Sequence, residues 1–256
     1  MKKYYAKEFR NEDESPSAWG RRKFLIPNAV TLGNMFCGFL TIIYAASERY
    51  EKALIAIALA ILLDGLDGGI ARRLNATSKF GVEFDSFSDF ISFGIAPAFL
   101  IYCWCFRTPA DEFGVIVTFI YCLAAASRLA RFNIAEPLMT KNFQGLPTPA
   151  AAGIVAASVN FATRVEPTGT MVFIFSLVMI AIAYLMISKI EFFSIKRLKF
   201  STMNKPTLIL IGAVIALTWY NSSVGFLALA TGYALSGPVA ALSGRNKKSV
   251  EAPVKI

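Results

Sequence analysis

Apolar residues run through this chain in long blocks, with the polar residues gathered between them. The blocks fall at roughly 24–47, 52–73, 86–106, 113–134, 147–163, 169–188, 206–220 and 223–243. A helix needs about 20 predominantly apolar residues to cross the hydrocarbon of a bilayer. The pattern therefore predicts an all-α integral membrane protein, a bundle of about eight transmembrane helices, of which the fifth and seventh are the shortest. Three regions follow: an N-terminal arm at 1–23, a membrane domain at 24–243 and a polar tail at 244–256. The first block is longer than a signal-peptide core and has no small-residue cleavage site, so a retained helix is expected. The arm mixes both charges and contains Pro16 and Trp19. It is expected either to be disordered or to lie on the membrane surface.

Composition agrees with the blocks. Of 256 residues, 55% are hydrophobic and 17% charged, with a mean hydropathy of +0.53, values that belong to membrane proteins. The net charge of +9 is unevenly placed. Arg49, Lys52, Arg107 and Arg164 fall in odd-numbered loops, while the other 22 of the 26 lysines and arginines fall in the two ends and the even loops. By the positive-inside rule, both termini and the even loops are expected on the cytoplasmic side of the cell membrane, which requires an even number of helices. Basic residues flanking apolar spans suit anionic lipid headgroups, so no nucleic-acid partner is expected. Cys37, Cys103, Cys105 and Cys122 all fall inside apolar blocks, where buried packing is the expected role. There is no histidine. Acid–base chemistry must then use a carboxylate, Lys, Tyr or Cys.

One polar stretch departs from the pattern of loops. Residues 64–89 read DGLDGGIARRLNATSKFGVEFDSFSD, set between two apolar blocks. With Asp64 as origin on a helix, Asp67 lies about 60° to one side, Gly68 about 40° to the other, Ala71 about 20° away and Arg72 about 80° away. Two carboxylates, two small residues and a guanidinium share one face. Asp85 and Asp89 are spaced to share a face of the next helix. The connection between them, roughly residues 74–83, is short enough to make the two helices antiparallel neighbours. Four carboxylates then converge near the cytoplasmic end. Crowded negative charges in a low-dielectric cleft call for cations. Without a His or thiolate cluster, hard divalent ions with oxygen ligands fit best, and a pair of them would suit a pyrophosphate substrate. Arg72 can grip phosphate oxygens through two donors. Gly68, Gly69 and Ala71 let a ligand lie against the backbone. Solvated aspartates at helix ends would explain any single one of these residues, but not four at matched spacing with Gly, Ala and Arg between them.

The run Asp64-Gly-Leu-Asp67-Gly68-Gly-Ile-Ala71-Arg72, eight residues, then Gly81-Val-Glu-Phe-Asp85-Ser-Phe-Ser-Asp89 resembles the signature of the CDP-alcohol phosphotransferases at every fixed position. The resemblance implies that Asp64, Asp67, Asp85 and Asp89 ligate two Mg²⁺ or Mn²⁺ ions. It implies that Asp89 is also the general base, and that Gly68, Arg72 and Ser78 touch the CDP moiety. It further implies a shared six-helix core, extended here by two helices, and a homodimer.

Flanking segments bear on the substrates. Asn28, Thr31 and Asn34 form a polar stripe at three-residue spacing on the first apolar block. Pro27 suits a first helical turn and Asn28 a cap, but capping leaves Asn34 unexplained. The stripe resembles the nucleotide-contacting first helix of the family. RLARFN at 128–133 and FQGLPTPAAAG at 143–153 resemble the phosphatidylserine synthase branch. Snorkelling of the arginines to headgroups and ordinary Pro/Gly loop punctuation are the plainer explanations of these two segments. An amino-acid acceptor needs a cation for its carboxylate, which Arg128 or Arg131 can supply, with Asn133 or Gln144 as further contacts. The expected reaction joins CDP-diacylglycerol, or its ether-linked counterpart CDP-archaeol, to L-serine within the bilayer, giving phosphatidylserine and CMP. The alternatives are glycerol 3-phosphate as acceptor, as in a phosphatidylglycerophosphate synthase, and a cation transporter using the aspartates as an ion site. A transporter predicts midplane polar residues and inverted halves, whereas the charges here cluster at one edge.

Overall fold

Helix α1, Ala18–Ala46, and helix α2, Tyr50–Leu74, are joined by a turn in which Glu48 takes a φ of 57°. Thr31 meets Asp67, Gly33 faces Leu63 and Thr41 reaches the carbonyl of Ala53. Position rises on one helix as it falls on the other, so the pair is antiparallel. This is a computed structural model, and it describes residues 18–74, 78–107, 110–135, 143–163, 165–192, 231–232 and 234. The expected blocks at 206–220 and 223–243 lie almost wholly outside the described residues.

Two boundaries differ from the expected ones. Pro27 lies well inside α1, so Asn28 is not a cap. Ahead of it only Gly20 disfavours a helix, and the helix runs back through the last residues of the expected arm. Helix α3, Lys79–Asp89, also begins earlier than its apolar block. Ser78 is extended, and its Oγ accepts from the N–H of Gly81 at 2.9 Å, an N-cap that satisfies one of the first orphan donors. The connection after α2 therefore shrinks from the expected 74–83 to residues 75–78, and Asp85 stands within the helix.

From α3 the chain continues as one span through a π turn at Phe90–Ile95, helix α4 at Ala96–Ile101 and a second π segment at Tyr102–Phe106. Pro97 has no N–H, so the carbonyl of Phe93 lacks its ordinary helical donor. The hydroxyl of Tyr121, wholly buried on helix α5 (Asp111–Ala135), donates to that carbonyl at 2.9 Å. Helix α6, Thr148–Ala162, is short and its buried face is rich in alanine. Helix α7, Gly169–Ile187, follows.

Among the described residues five helical segments are long and apolar enough to cross a membrane: Ile26–Ala46, Tyr50–Ile70, Phe80–Phe106, Asp111–Ile134 and Gly169–Ile187. Thr148–Ala162 is a shorter apolar helix. The architecture is helical, apart from a two-residue antiparallel ladder that pairs Phe143 with Phe192 and Gln144 with Glu191. Large apolar side chains such as Phe36, Leu62, Phe119 and Tyr184 point outward, as a lipid-facing surface requires. The buried core mixes many alanines, such as Ala60, Ala124 and Ala152, with aliphatic and aromatic residues such as Ile57, Leu100 and Phe93.

Candidate metal and nucleotide site

Asp64 and Asp67 project from the last turns of α2, and Asp85 from α3. One carboxylate oxygen from each lies within 4.8 Å of the others. Asp67 is buried, and Asp64 and Asp85 are half-buried. Asp89, one turn beyond Asp85, interacts electrostatically with all three. Like charges this close repel strongly in a poorly solvated site.

The polar stripe of α1 runs into this cluster. Thr31 Oγ1 lies 3.1 Å from Asp67 Oδ2 and 3.1 Å from the carbonyl of Pro27. Its single proton serves one at a time, and an ionised carboxylate is the stronger acceptor. The backbone N–H of Gly68 donates to the other Asp67 oxygen. Asn34, fully buried, donates from Nδ2 to Asp89 Oδ1 at 3.2 Å. Its own Oδ1 is buried with no hydrogen-bond partner among the described residues. Asn28 on α1 faces the first turn of α3, with its Oδ1 3.4 Å from where a Gly81 Cβ would stand.

The return contacts come from two serines that the sequence did not flag. Ser88 Oγ donates to the Thr31 carbonyl and Ser92 Oγ to the Asn34 carbonyl, each at 3.0 Å. Their four-residue spacing on the aspartate helix was the available signal. Thr31 and Asn34 thus hold aspartates with their side chains, while their carbonyls hold α3 and the π turn that follows it.

The other expected residues disperse. Gly68 is half-buried beside Asp67. Ser78 serves as the cap of α3. Ala71 and Arg72 lie in the last turn of α2, and their side chains fall outside the described residues. Arg128 Nη1 stands 3.5 Å from Thr148 Oγ1, at the start of α6. Arg131 Nη1 donates to the Ile187 carbonyl at 2.7 Å. Asn133 Nδ2 donates to Ser86 Oγ on α3 at 2.9 Å. Gln144 lies in the two-residue ladder, with its side chain outside the described residues.

The cluster fits hard divalent ions. Its donors are carboxylate oxygens, the chain has no histidine, and the described cysteines lie on other parts of the bundle. The partnerless Asn34 Oδ1 adds a neutral oxygen beside Asp89.

A family model described as CDP-alcohol phosphatidyltransferase matches residues 24–183. The CDP-diacylglycerol--serine O-phosphatidyltransferase of Helicobacter pylori is 35% identical to this chain over 182 residues, covering 70% of this chain and 76% of the relative. The Bacillus subtilis protein of the same name is 34% identical over 168 residues, covering 65% and 89%. That of Methanocaldococcus jannaschii is 37% identical over 172 residues, covering 67% and 75%.

Proposed function

The chain belongs to the CDP-alcohol phosphatidyltransferase family, a family of transferases, and from that membership we propose that it moves the phosphatidyl group of CDP-diacylglycerol to the hydroxyl of L-serine. The products are phosphatidylserine and CMP. The observation that carries the proposal is the meeting of Asp64, Asp67 and Asp85 from two helices, with Asp89 one turn away.

Asp64, Asp67, Asp85 and Asp89 would hold two Mg²⁺ or Mn²⁺ ions. When bound, the ions neutralise charge and polarise the pyrophosphate as Lewis acids. Asp89 takes the serine hydroxyl proton. The Asn34 amide fixes Asp89 Oδ1, which leaves Oδ2 to face the acceptor. The serine oxygen bonds to the phosphorus that bears diacylglycerol, the P–O bond to CMP breaks, and CMP leaves with the electron pair. Gly68, Ala71, Arg72 and Ser78 line the CDP side with Asn28, and Arg72 stabilises phosphate charge. Arg128 or Arg131 supplies the cation for the serine carboxylate. The distribution of lysine and arginine supports an active site on the cytoplasmic face of the cell membrane, and the family resemblance is what suggests a homodimer.

The test is CMP release by purified protein given CDP-diacylglycerol and, separately, serine or glycerol 3-phosphate. Release with serine that stops on chelation and returns with Mg²⁺ or Mn²⁺ is expected, and Asp89→Asn should abolish it. Release with glycerol 3-phosphate alone would overturn the choice of acceptor, and undiminished release after chelation would overturn the role given to the aspartates.

A further inference from the structure

The C-terminal turns of α5 tie three separate elements together. Arg128 reaches the first residue of α6, Arg131 the last carbonyl of α7, and Asn133 the middle of α3. The third tie lies beside the aspartates. Asn133 Nδ2 donates to Ser86 Oγ at 2.9 Å, and Asn133 Oδ1 lies 3.1 Å from the same hydroxyl. The Ser86 proton can turn to Asn133 Oδ1 or to the Val82 carbonyl, also 3.1 Å away. The amide donates to Ser86 in either orientation, so the pair persists. Both residues are half-buried.

Helix geometry places this clasp on one side of the cluster. On α3, Ser86 is turned about 60° from Asp89 and about 100° from Asp85. It therefore flanks Asp89 more closely than Asp85 on α3. At the other end of the clasp, Asn133 follows Arg128 by five positions, about 7.5 Å along α5 and about 140° around it.

We propose that Ser86 and Asn133 are a positioning pair that sets the gap between Asp89 and the Arg128 end of α5, and so holds the small hydroxyl acceptor. The pair rests on the transfer reaction proposed above. Asn133, expected from the sequence as an acceptor contact, acts through Ser86. Gly68, Ala71 and Arg72, the CDP contacts on α2, belong to a helix that the pair does not join.

The experiment uses full-length protein in lipid nanodiscs. The variants are Ser86→Ala, Asn133→Ala, the double variant, and the exchange Ser86→Asn with Asn133→Ser. CMP release is measured against serine at saturating CDP-diacylglycerol and then the reverse, with Mn²⁺ half-saturation and Tm alongside. Each single variant should raise the serine KM about fivefold, the factor expected from one lost hydrogen bond. The double variant should be no worse than either single one, because the pair acts as a unit. The KM for CDP-diacylglycerol and the Mn²⁺ half-saturation should hold steady, and the exchange should recover most of the loss. An unchanged serine KM would overturn the pairing. So would an equal rise in both KM values with a lower Tm, which marks a purely structural tie. Additive single effects without recovery on exchange would make Asn133 a direct acceptor contact and also overturn it. Wild-type protein showing no serine-dependent release would overturn the reaction itself, and the pair's role with it, before any variant is made.

Discussion

Asn34 on α1 and Asp89 on α3 are joined by an amide-to-carboxylate hydrogen bond of 3.2 Å, across 55 positions of sequence. The amide is fully buried, and the carboxylate shares its surroundings with three other acids. A carboxylate that must accept a proton from a substrate gains when one oxygen is pinned and the other left open. Asn34→Leu keeps the approximate volume and removes the donor. Turnover should fall about ten- to hundredfold, the range for losing a hydrogen bond to a charged group. Steady-state CMP release, with Tm as the check on folding, measures this. Normal turnover in a folded Leu variant would show that Asp89 needs no such support.

Thr31 makes the corresponding contact with Asp67. Groups that hydrogen-bond a metal ligand orient it, and losing one commonly weakens metal binding by about ten- to hundredfold. Thr31→Val replaces the hydroxyl by a methyl of similar shape. The apparent Kd for Mn²⁺, followed by the electron paramagnetic resonance of free Mn²⁺ without substrate, should rise about tenfold or more. An unchanged titration would separate Asp67 from metal binding or show that the Gly68 N–H alone suffices to orient it.

The sequence carried the helices and the aspartate face, because both are written in short-range periodicity. Apolar blocks located α1, α2, α5, α6 and α7, and the signature spacing brought Asp64, Asp67 and Asp85 to one place. The start of α3 was misplaced because apolar content was used to mark it. Ser78 followed by Lys79, Phe80 and Gly81 is a capping signal in polar sequence. The π turns were not legible, since Pro97 shows that a helix must adjust but not that Tyr121 will supply the missing donor. The stripe of Asn28, Thr31 and Asn34 was visible, but not its partners. Those partners depend on how α1 packs on α3 and the π turn after it, where Gly38 lies against Ser92.

That approach gives the last prediction. A Cβ added at Gly38 would lie 2.5 Å from Ser92 Oγ and 2.7 Å from Ser92 Cα. The hydroxyl could rotate aside, but the Cα is backbone at the π turn and cannot. Gly38→Ala must therefore push α1 away from Phe90–Ile95, stretching the bond from Ser92 Oγ to the Asn34 carbonyl and then the contact from Asn34 to Asp89. Overpacking of this kind costs about 1–3 kcal/mol. Gly65→Ala is the control. Nothing lies within 4 Å of its added Cβ, and alanine favours a helix over glycine by up to about 1 kcal/mol. Thermal unfolding in detergent should show a lower Tm for Gly38→Ala and an unchanged or higher one for Gly65→Ala. CMP release should drop for Gly38→Ala beyond what the lost folded fraction explains, because the surviving fold carries a displaced Asn34. A Gly38→Ala protein with wild-type Tm and turnover would mean that the α1–π-turn contact has slack, and that Asn34 owes its place to something other than Ser92.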